Sequence, residues 1–337
     1  MVYLVSMISI LIPFKNTQAY LNACLESILK QTYKDWEILA VDDSSTDNSK
    51  DIVEGYAKLH PNIHYILNTG NGIIPALQTG YRHAKGQFIT RMDSDDIMVP
   101  HRLEVMVQSL RLHGHGHVAV GQVKYFSEEG ISDGYARYER WLNQLTAKGT
   151  NYTEIYKECV IPSPCWMVHK SDFEKCDAFN PTRYPEDYDL TFRFYANHLE
   201  VIPCKQVLHL WRDYGTRTSR THEHYAQNYF LEIKLHYFLK LEYNTKKPLV
   251  IWGAGYKGKT IAKKLTKKNI PFIWVCDNPN KIGKHIYGTE LQHFSLIESL
   301  KEPQSIITVA NEKAQEEIRK FLSQQNQKQA LDYFFFC

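Results

Sequence analysis

Three carboxylates crowd into four positions where the sequence changes from apolar to polar. Residues 88–90 follow the breaker Gly86 and favour β-structure, so they predict a short buried strand. Asp93, Asp95 and Asp96 come after it, and carboxylates this close repel one another unless a cation or solvent screens them. Because divalent cations prefer carboxylate and phosphate oxygens, the pattern predicts a metal and diphosphate site at Asp93 and Asp95. The alternative is that Asp96 caps the next predicted helix while the other two are solvated.

A second acidic turn follows an earlier predicted strand. Residues 37–41 predict a strand that runs directly into Asp42 and Asp43, and residues 48–58 predict the helix after that turn. A strand, a polar turn and a helix are the parts of a βαβ unit. Because parallel strands end at the same edge of a sheet, we expect both acidic turns at that edge, where α/β proteins bind ligands.

Strands and helices must alternate along the first part of the chain to hold these turns in place. The predicted strands span residues 7–12, 37–41, 64–67, 88–90 and 118–123. The predicted helices span residues 19–29, 48–58, 76–84, about 100–112 and 188–196. This alternation predicts an α/β fold built on a mainly parallel sheet.

Length and composition limit the class of protein. The 337 residues suggest two domains, each large enough to bury a core. The formal net charge of +3 does not indicate nucleic-acid binding, and no apolar run reaches the length of a membrane span, so membrane contact is expected to be peripheral at most. Seven cysteines without a C-x-x-C pair indicate a reducing, cytoplasmic setting. We interpret the apolar opening, which ends at Pro13, as the first strand rather than a signal peptide.

A polar break divides the chain into two predicted domains. Residues 1–243 form the first domain, residues 244–248 the linker and residues 249–337 the second domain. The second is predicted to be a small Rossmann-like α/β domain, because strand patterns alternate with helical patterns there. Its first predicted strand begins at Leu249, and two further strands span residues 272–276 and 305–309.

The second domain carries a glycine-rich turn after its first strand. Gly253, Gly255 and Gly258 open the following helix, and Asp277 ends the next strand at the spacing of a dinucleotide-binding fingerprint. NAD, a nucleotide-sugar or another phosphate ligand is predicted to rest on this helix N-terminus. The alternative is that the turn serves only packing, with a role in assembly or acceptor positioning.

Four runs of the sequence resemble the family 2 inverting glycosyltransferases of GT-A fold. They read SILIPFKN, YLNACLESILKQTYKDWEILAVDDSSTDNS, NGIIPALQTGYRHAKGQFITRMDSDDIMVPHRLE and YPEDYDLTFRF. The resemblance covers about residues 7–237, and several linked motifs are more specific than any single one. It implies a GT-A domain that transfers a sugar from a nucleotide diphosphate with the help of a divalent ion.

The resemblance also implies roles for the acidic turns. Asp95 would bind Mn²⁺ or Mg²⁺ against the diphosphate, with Asp93 as a second ligand near the ribose. Asp43 aligns with the family residue that contacts the base. Asp42 supports that turn, and its alternative is an Asx-turn or helix cap. Pro13 is implied as a further donor-binding position.

A general base and phosphate ligands are implied as well. Inversion needs a base on the face opposite the leaving group, and Asp187 aligns with it, while Glu186 orients the acceptor or braces the loop. The alternative is that Asp187 only caps the following helix. Arg212 and Arg217 lie in a segment, residues 208–220, that resembles the one covering the donor. They are candidate phosphate ligands, or else solvated loop residues.

Five further features carry two interpretations each. His209 is a third metal ligand or a structural histidine, and Trp166 stacks on a sugar or packs in the core. His113–His117 is a metal site by composition, or an ordinary loop. Residues 223–243 contact a membrane surface or partner, or pack on the first domain. The lysines between residues 257 and 268 form a solvated helix face or attract an anionic membrane or glycan.

The functional prediction is therefore a metal-dependent inverting hexosyltransferase. Its donor is a nucleotide-sugar, with a UDP-sugar favoured, and its acceptor is a glycan or lipid-linked saccharide in cell-surface polysaccharide synthesis. The predicted location is cytoplasmic, with peripheral contact at the inner membrane face and homo-oligomer formation as options. Two rival predictions centre on the glycine turn instead, an NAD-dependent oxidoreductase and a non-catalytic nucleotide-binding module.

Overall fold

The chain divides into two compact units. The computed structural model describes residues 6–215, 217 and 229–337. Within that range the first unit comprises residues 6–151, 160–215 and 217, and the second comprises residues 152–159 and 229–337. No helix among the described residues combines the length and the apolar character that a membrane span requires.

The first unit opens with alternating strands and helices. These elements are β1 (Ile8–Phe14), α1 (Gln18–Leu29), β2 (Trp36–Asp42), α2 (Ser49–Leu59), β3 (Ile63–Leu67), α3 (Ile73–His83) and β4 (Phe88–Arg91). Every residue of β1, β2 and β4 is buried, as expected for central parallel strands. The predicted elements over this stretch are confirmed, with small shifts at their ends.

The remainder of the first unit is less regular. Its elements are β5 (Ile97–Met98), α4 (Arg102–His113), β6 (His117–Phe126), α5 (Asp133–Lys148), β7 (Trp166–His169), α6 (Lys170–Lys175), α7 (Glu186–Ala196) and β8 (Glu200–Arg212). The Ser132 hydroxyl accepts a hydrogen bond from the N–H of Tyr135 and caps α5. The predicted strand over 118–123 and helix over 188–196 are confirmed.

One sheet of eight strands runs through the first unit, in the order β3-β2-β1-β4-β7-β6-β8-β5. β1 pairs in parallel with β2 on one side and β4 on the other, and β2 pairs in parallel with β3. β7 runs antiparallel to β4 and β6, whereas β6 and β8 are parallel. The carboxyl ends of β2, β1 and β4 therefore meet at one edge, as predicted.

Close backbone packing sets β4 beside β1. A Cβ atom on Gly86 would lie 2.5 Å from the backbone nitrogen of Ser9, so only glycine fits at this position two residues before β4. Ile10, Leu25 and Val107 are fully buried in the core between the sheet and its helices. Burying each such side chain contributes roughly 1.5–3 kcal/mol relative to exposure.

The second unit has its own sheet and core. Its elements are α8 (Tyr229–Leu241), β9 (Leu249–Trp252), α9 (Tyr256–Lys267), β10 (Ile273–Cys276), β11 (His285–Ile286), β12 (Thr289–His293), β13 (Gln304–Ile307), α10 (Glu312–Gln324) and β14 (Tyr333–Phe335). Strand order is β11-β12-β10-β9-β13-β14, and all pairs except β11–β12 are parallel. The predicted strand, glycine turn and helix at the start of this region are confirmed.

The second unit also includes the inserted segment, residues 152–159, from the middle of the chain. Glu154 forms an ion pair with Arg319 of α10 at 3.0 Å, and the ring of Tyr156 stacks on Phe336 with centroids 5.5 Å apart. The division therefore differs from the predicted boundary after residue 243, because the inserted segment and α8 both group with the C-terminal strands. Residues 223–228 of the predicted helical pattern lie outside the described residues.

Candidate active site

Two acidic turns lie at the edge where β2, β1 and β4 end. Asp42 ends β2 and pairs with Phe14 of β1, whose carbonyl oxygen accepts a hydrogen bond from the N–H of Asp43 at 2.9 Å. On the other side of β1, the N–H of Met92 donates to the carbonyl of Leu11 at 3.0 Å and holds the start of the second turn. β1 thus positions both turns.

Asp42 is tied into its own turn. Its Oδ1 accepts a hydrogen bond from the N–H of Ser45, three residues on, at 2.8 Å, and its Oδ2 accepts one from the Tyr65 hydroxyl at 3.1 Å. Burial, together with the nearby Asp42 charge, raises the pKa of Tyr65 to about 12. Asp42 therefore supports the turn. Pro13 lies buried in β1 opposite Val41.

Asp43 joins three segments of the chain. Its Oδ1 accepts hydrogen bonds from Asn68 Nδ2 at 2.7 Å and from the N–H of Gly72 at 2.9 Å. Its Oδ2 lies 3.2 Å from the half-exposed ammonium of Lys15. These contacts fix the carboxylate between β1, β2 and the loop before α3.

Asp96 does not cap the helix after the second turn, so that alternative is wrong. Its Oδ2 accepts a hydrogen bond from His209 Nε2 at 2.8 Å, and its Oδ1 accepts one from the N–H of Arg212 at 2.7 Å. Arg102 Nη1 lies 3.0 Å from His209 Nδ1, and because arginine only donates, Nδ1 is the acceptor and Nε2 carries the proton. Asp96, His209 and Arg102 are all fully buried.

His209 is consequently a structural histidine. Burial and the positive charge of Arg102 lower its pKa well below the ordinary value, so the ring is neutral. Both ring nitrogens are engaged, which leaves no lone pair for a metal ion. The chain Arg102–His209–Asp96 ties the second acidic turn to β8.

Asp95 lies half-buried beside Tyr214 and Arg212. Its Oδ2 accepts a hydrogen bond from the Tyr214 hydroxyl at 2.9 Å, and its backbone carbonyl accepts one from Arg212 Nε at 2.7 Å. Burial, followed by the negative charges of Asp96 and Asp93, raises the pKa of Asp95 to about 6. A cation beside this carboxylate would relieve the repulsion.

Asp93 and Asp95 fit a divalent cation whose remaining ligands would come from a bound diphosphate and water. Each carboxylate keeps one oxygen that makes no hydrogen bond to the described residues. No group of three or more His, Cys, Asp or Glu side chains in the described ranges forms a complete metal site. Ions such as Mg²⁺ usually take one or two carboxylates and complete their shell with phosphates and water, and this turn offers the two carboxylates.

Arg91 connects the second acidic turn to another acidic pair. Its Nη1 lies 2.8 Å from Glu186 Oε1, while Nε and Nη2 lie 3.1 and 3.0 Å from Asp93 Oδ1. The residue is 8% exposed, so these contacts are largely shielded from water. One guanidinium thus links β4 to the first turn of α7.

Glu186 and Asp187 begin α7. The paired Glu186 is held in place and braces the helix start. Asp187 is half-buried, and its Oδ1 accepts a hydrogen bond from the N–H of Tyr188 at 2.8 Å. Burial and the Glu186 charge raise the pKa of Asp187 to about 7, although Arg91 opposes the shift. Such a carboxyl can accept a proton near neutral pH.

The two predicted phosphate ligands lie close to the second acidic turn. The guanidinium of Arg212 packs 4.8 Å from the ring centre of Tyr20 and 4.5 Å from that of Phe126. Arg217 is buried, 5.1 Å from the ring centre of Trp211, and its charge opposes the rise in the pKa of Asp95. Residues 216 and 218–220 of the predicted covering segment lie outside the described residues.

Trp166 and the histidine-rich loop do not join this group. The ring of Trp166 is 2% exposed and lies 5.7 Å from both Phe173 and Phe194, so it packs in the core. In the loop, His115 Nδ1 lies 3.1 Å from Asp172 Oδ2. This contact anchors the loop between α4 and β6.

The glycine turn of the second unit is required by packing. Gly253 has φ +118°, and a Cβ on Gly258 would lie 2.1 Å from the carbonyl oxygen of Gly253. Gly255 has nothing within 4 Å of its Cβ position, which leaves open space in front of α9. Asp277 is exposed directly after β10. A ligand on this turn stays a prediction.

Sequence reasoning missed Arg91, Tyr214 and Arg102. Arg91 had a signal, since a charged residue follows a strand that is predicted to be buried and comes just before the acidic turn. Arg102 and Tyr214 had none, because their partners at Asp96, His209 and Asp95 depend on how distant strands pair.

Comparisons with known proteins agree with this architecture. Residues 9–177 match the family described as Glycosyl transferase family 2. The chain is 38% identical over 227 residues to Glycosyltransferase GlyG of Streptococcus pneumoniae, covering 64% of this chain and 73% of that protein. It is 27% identical over 218 residues to the Escherichia coli UDP-Glc:alpha-D-GlcNAc-diphosphoundecaprenol beta-1,3-glucosyltransferase WfgD, covering 61% and 77%. The match to GlyA of S. pneumoniae, 29% identical, spans only 30% of that protein.

Solved structures show the same fold. S. aureus TarS residues 1–349 in complex with UDP-GlcNAc align with TM-score 0.53 and 18% identity, over 77% of this chain and 71% of that one. A longer TarS structure aligns with the same TM-score over 43% of its chain. This likeness confirms the predicted GT-A type of α/β fold. With a profile match over half of its length and its similarity to GlyG, the chain belongs to glycosyl transferase family 2, whose members are glycosyltransferase enzymes.

Proposed function

We propose that this chain transfers a hexosyl group from a nucleotide-diphosphate sugar to a saccharide hydroxyl, with inversion at the anomeric carbon. The observation that carries the proposal is the link from Asp93 through Arg91 to Glu186. It connects one candidate donor ligand, Asp93, to Glu186, the residue directly before the candidate base Asp187. An inverting transfer needs donor ligands and a base, because the nucleoside diphosphate leaves from one face of the anomeric carbon while the acceptor oxygen attacks from the other.

The favoured donor is a UDP-sugar. The name of WfgD specifies UDP-Glc, and TarS was solved with UDP-GlcNAc. Asp43 is the proposed contact to the base, because uracil carries an N–H group that a carboxylate accepts well. Lys15, whose ammonium lies 3.2 Å from Asp43, would stand beside the base.

Asp93 and Asp95 would hold Mn²⁺ or Mg²⁺ together with the donor diphosphate. When bound, the ion would neutralise charge that develops on the departing diphosphate. Arg212 and Arg217 are proposed to bind phosphate oxygens, since a guanidinium matches them with two parallel N–H donors. Tyr214 would hold the Asp95 carboxyl in one orientation through its hydroxyl.

Asp187 is the proposed general base. As the acceptor oxygen bonds to the anomeric carbon, its proton passes to Asp187, and the bond to the diphosphate oxygen breaks with its electron pair on that oxygen. The pKa of about 7 leaves a substantial fraction of Asp187 ionised at neutral pH. A base of this kind contributes about 10²- to 10⁴-fold in rate.

The proposed acceptor is a glycan or lipid-linked saccharide in cell-surface polysaccharide synthesis. The name of WfgD specifies a diphosphoundecaprenol-linked sugar, which supports this class. Chondroitin synthase of Escherichia coli, 30% identical over 170 residues that span 25% of that protein, supports it too. Homo-oligomer formation is compatible with this role.

A cytoplasmic location with peripheral contact at the inner membrane face is also proposed. Six lysines lie between residues 257 and 268, and residues 243–276 contain no Asp or Glu. Anionic lipid attracts each such lysine by about 1 kcal/mol. Sedimentation with phosphatidylcholine vesicles, with and without phosphatidylglycerol, tests this. The K259E/K263E/K267E variant should lose binding to anionic vesicles while K313E/K320E on α10 keeps it, and equal binding to both vesicle types would contradict the proposal.

A thermal-shift screen tests the donor and the metal. UDP, GDP, dTDP, CMP and NAD are each added with and without Mn²⁺ to the wild type and Asp95→Ala. A ligand at 100 times its dissociation constant stabilises the folded state by about 2.7 kcal/mol. A nucleoside diphosphate should raise the melting temperature only with metal and only in the wild type. A shift with NAD alone, indifferent to Asp95, would favour the oxidoreductase or the nucleotide-binding module at Gly253–Gly258.

Inversion is tested without knowing the acceptor. UDP-Glc or UDP-GlcNAc is incubated with the protein and Mn²⁺, and water replaces the acceptor. The first sugar released should carry the anomeric configuration opposite to that of the donor, which proton NMR reads before mutarotation. Retention of configuration, or no release by the wild type above the Asp187→Asn variant, would refute the proposed reaction.

A further inference from the structure

Arg91 bears two separate ion pairs in a nearly buried position. Different nitrogens of its guanidinium contact Asp93 and Glu186, and the hydrogen bond to Glu186 spans 95 residues of sequence. Removing three charged groups from water is costly, and hydrophobic residues often stabilise a fold as well as buried ion pairs do. Conformational specificity is therefore the better explanation for this arrangement than stability.

The shape of the guanidinium suits a bridging role. Nη1 serves Glu186, while Nε and Nη2 both serve Oδ1 of Asp93. A planar group with fixed donor directions sets the distance between its two partners, whereas a lysine ammonium on a flexible stem does not. Arg91 thus fixes the spacing between the turn after β4 and the start of α7.

We propose that Arg91 is a positioning residue that couples donor binding at Asp93 to the placement of Glu186 and Asp187. This inference rests on the proposed function, and it adds that the placement of the base Asp187 depends on donor binding at Asp93. A cation or donor group that binds Asp93 competes for its charge, so Arg91 interacts more strongly with Glu186 and holds the first turn of α7. Linkage makes the effect reciprocal, so an ordered α7 start favours donor binding in turn.

The ionisation of Asp187 is a measure of this coupling, because the surrounding charges act on its carboxyl. Glu186 on its own helix, Arg91 at the end of β4 and Asp93 in the turn all act on its carboxyl. Removing the positive charge of Arg91 leaves the carboxylates of Asp93, Glu186 and Asp187 without that opposing charge. We expect the base to be displaced and harder to ionise in that case.

The test compares Arg91→Lys and Arg91→Gln with the wild type. Hydrogen–deuterium exchange of residues 186–190 is measured with and without UDP and Mn²⁺, and UDP-Glc hydrolysis is measured against pH. Arg193→Lys and Arg193→Gln are the matched controls. Arg193 is as buried as Arg91, pairs with Asp189 at 2.8 Å and lies on α7, the helix that begins with Glu186 and Asp187.

In the wild type, UDP and Mn²⁺ should slow exchange at residues 186–190. Arg91→Gln should lose that protection, lower turnover by roughly 10²-fold through misplacement, and move the acid limb of the pH profile upward. Arg91→Lys should keep the pH limb near its wild-type position but recover only part of the protection. The Arg193 variants should lower the melting temperature and speed basal exchange around Asp189, whose ion pair they weaken, but they should keep the slowing by UDP and Mn²⁺ and the position of the pH limb.

Two outcomes would overturn the inference and are distinguishable. If the wild type responds to UDP and Mn²⁺ and Arg91→Gln keeps both the protection and the pH limb, Arg91 is structural only, as Arg193 is. If the wild type neither binds UDP nor hydrolyses any UDP-sugar, the proposed function fails and the coupling fails with it.

Discussion

Replacing Asp95 by Asn should stabilise the folded chain when divalent ions are absent. The pKa of Asp95 rises from its ordinary 3.8 to about 6, because the carboxyl is partly removed from water and lies beside Asp96 and Asp93. A raised pKa in the folded state means that ionisation opposes folding. Asn keeps the volume and an acceptor oxygen for the Tyr214 hydroxyl, and it removes the charge.

The size of the effect follows from the pKa shift. At about 1.4 kcal/mol per pKa unit, ionised Asp95 destabilises the fold by up to about 3 kcal/mol. The penalty is absent below pH 3.8, grows as the pH rises, and is complete above about 6. Because Asp95 is only half-buried and solvent screens it, we expect a gain of about 1–3 kcal/mol at pH 8 and a smaller one at pH 4.5.

Urea unfolding in EDTA at both pH values measures the gain from Asp95→Asn. Asp172→Asn is a control of opposite sign. Although burial opposes it, hydrogen bonds from Lys175 and from the N–H of Gly116 hold the pKa of Asp172 below its ordinary value. That variant should lose stability at pH 8. A loss of stability in Asp95→Asn at pH 8, or an equal change at the two pH values, would refute the reasoning.

The candidate base and the glycine turn give three more measurable outcomes. Asp187→Asn should lower UDP-sugar hydrolysis by about 10²- to 10⁴-fold while UDP binding, measured by calorimetry, is unchanged. Wild-type turnover should rise with pH through about 7, because burial and the Glu186 charge raise the pKa of Asp187 and the base acts ionised; a flat profile would contradict this. Gly258→Ala should lower the melting temperature, since its Cβ would lie 2.1 Å from the Gly253 oxygen, whereas Gly255→Ala should not; equal melting would count against the packing argument.

The sheet edge could be predicted because its signals are local. A continuous apolar run identifies β1, and breakers and polar turns mark where β2 and β4 end. Parallel pairing then brings Asp42, Asp43 and Asp93 to the same edge without further information. The resemblance to a family added roles for these residues, and those roles stay predictions.

The connections across the site could not be predicted, because they join residues far apart in sequence. Asp96 meets His209 across 113 residues, and Arg91 meets Glu186 across 95. No spacing rule links such positions, and helix capping was the reasonable local expectation for Asp96. The grouping of residues 152–159 with the second unit escaped for the same reason, since its partners Arg319 and Phe336 come much later in the chain.

The inserted segment has a consequence for biosynthesis. Phe336, on which Tyr156 stacks, is made roughly 180 residues after it. At about 5–20 residues per second, the ribosome needs on the order of 10–40 seconds to supply that partner. Until then the Tyr156 ring lacks this stacking partner, although Phe238 of α8, whose ring centre lies 6.0 Å away, is made earlier. Completion of the second unit therefore follows the synthesis of β14 and Phe336.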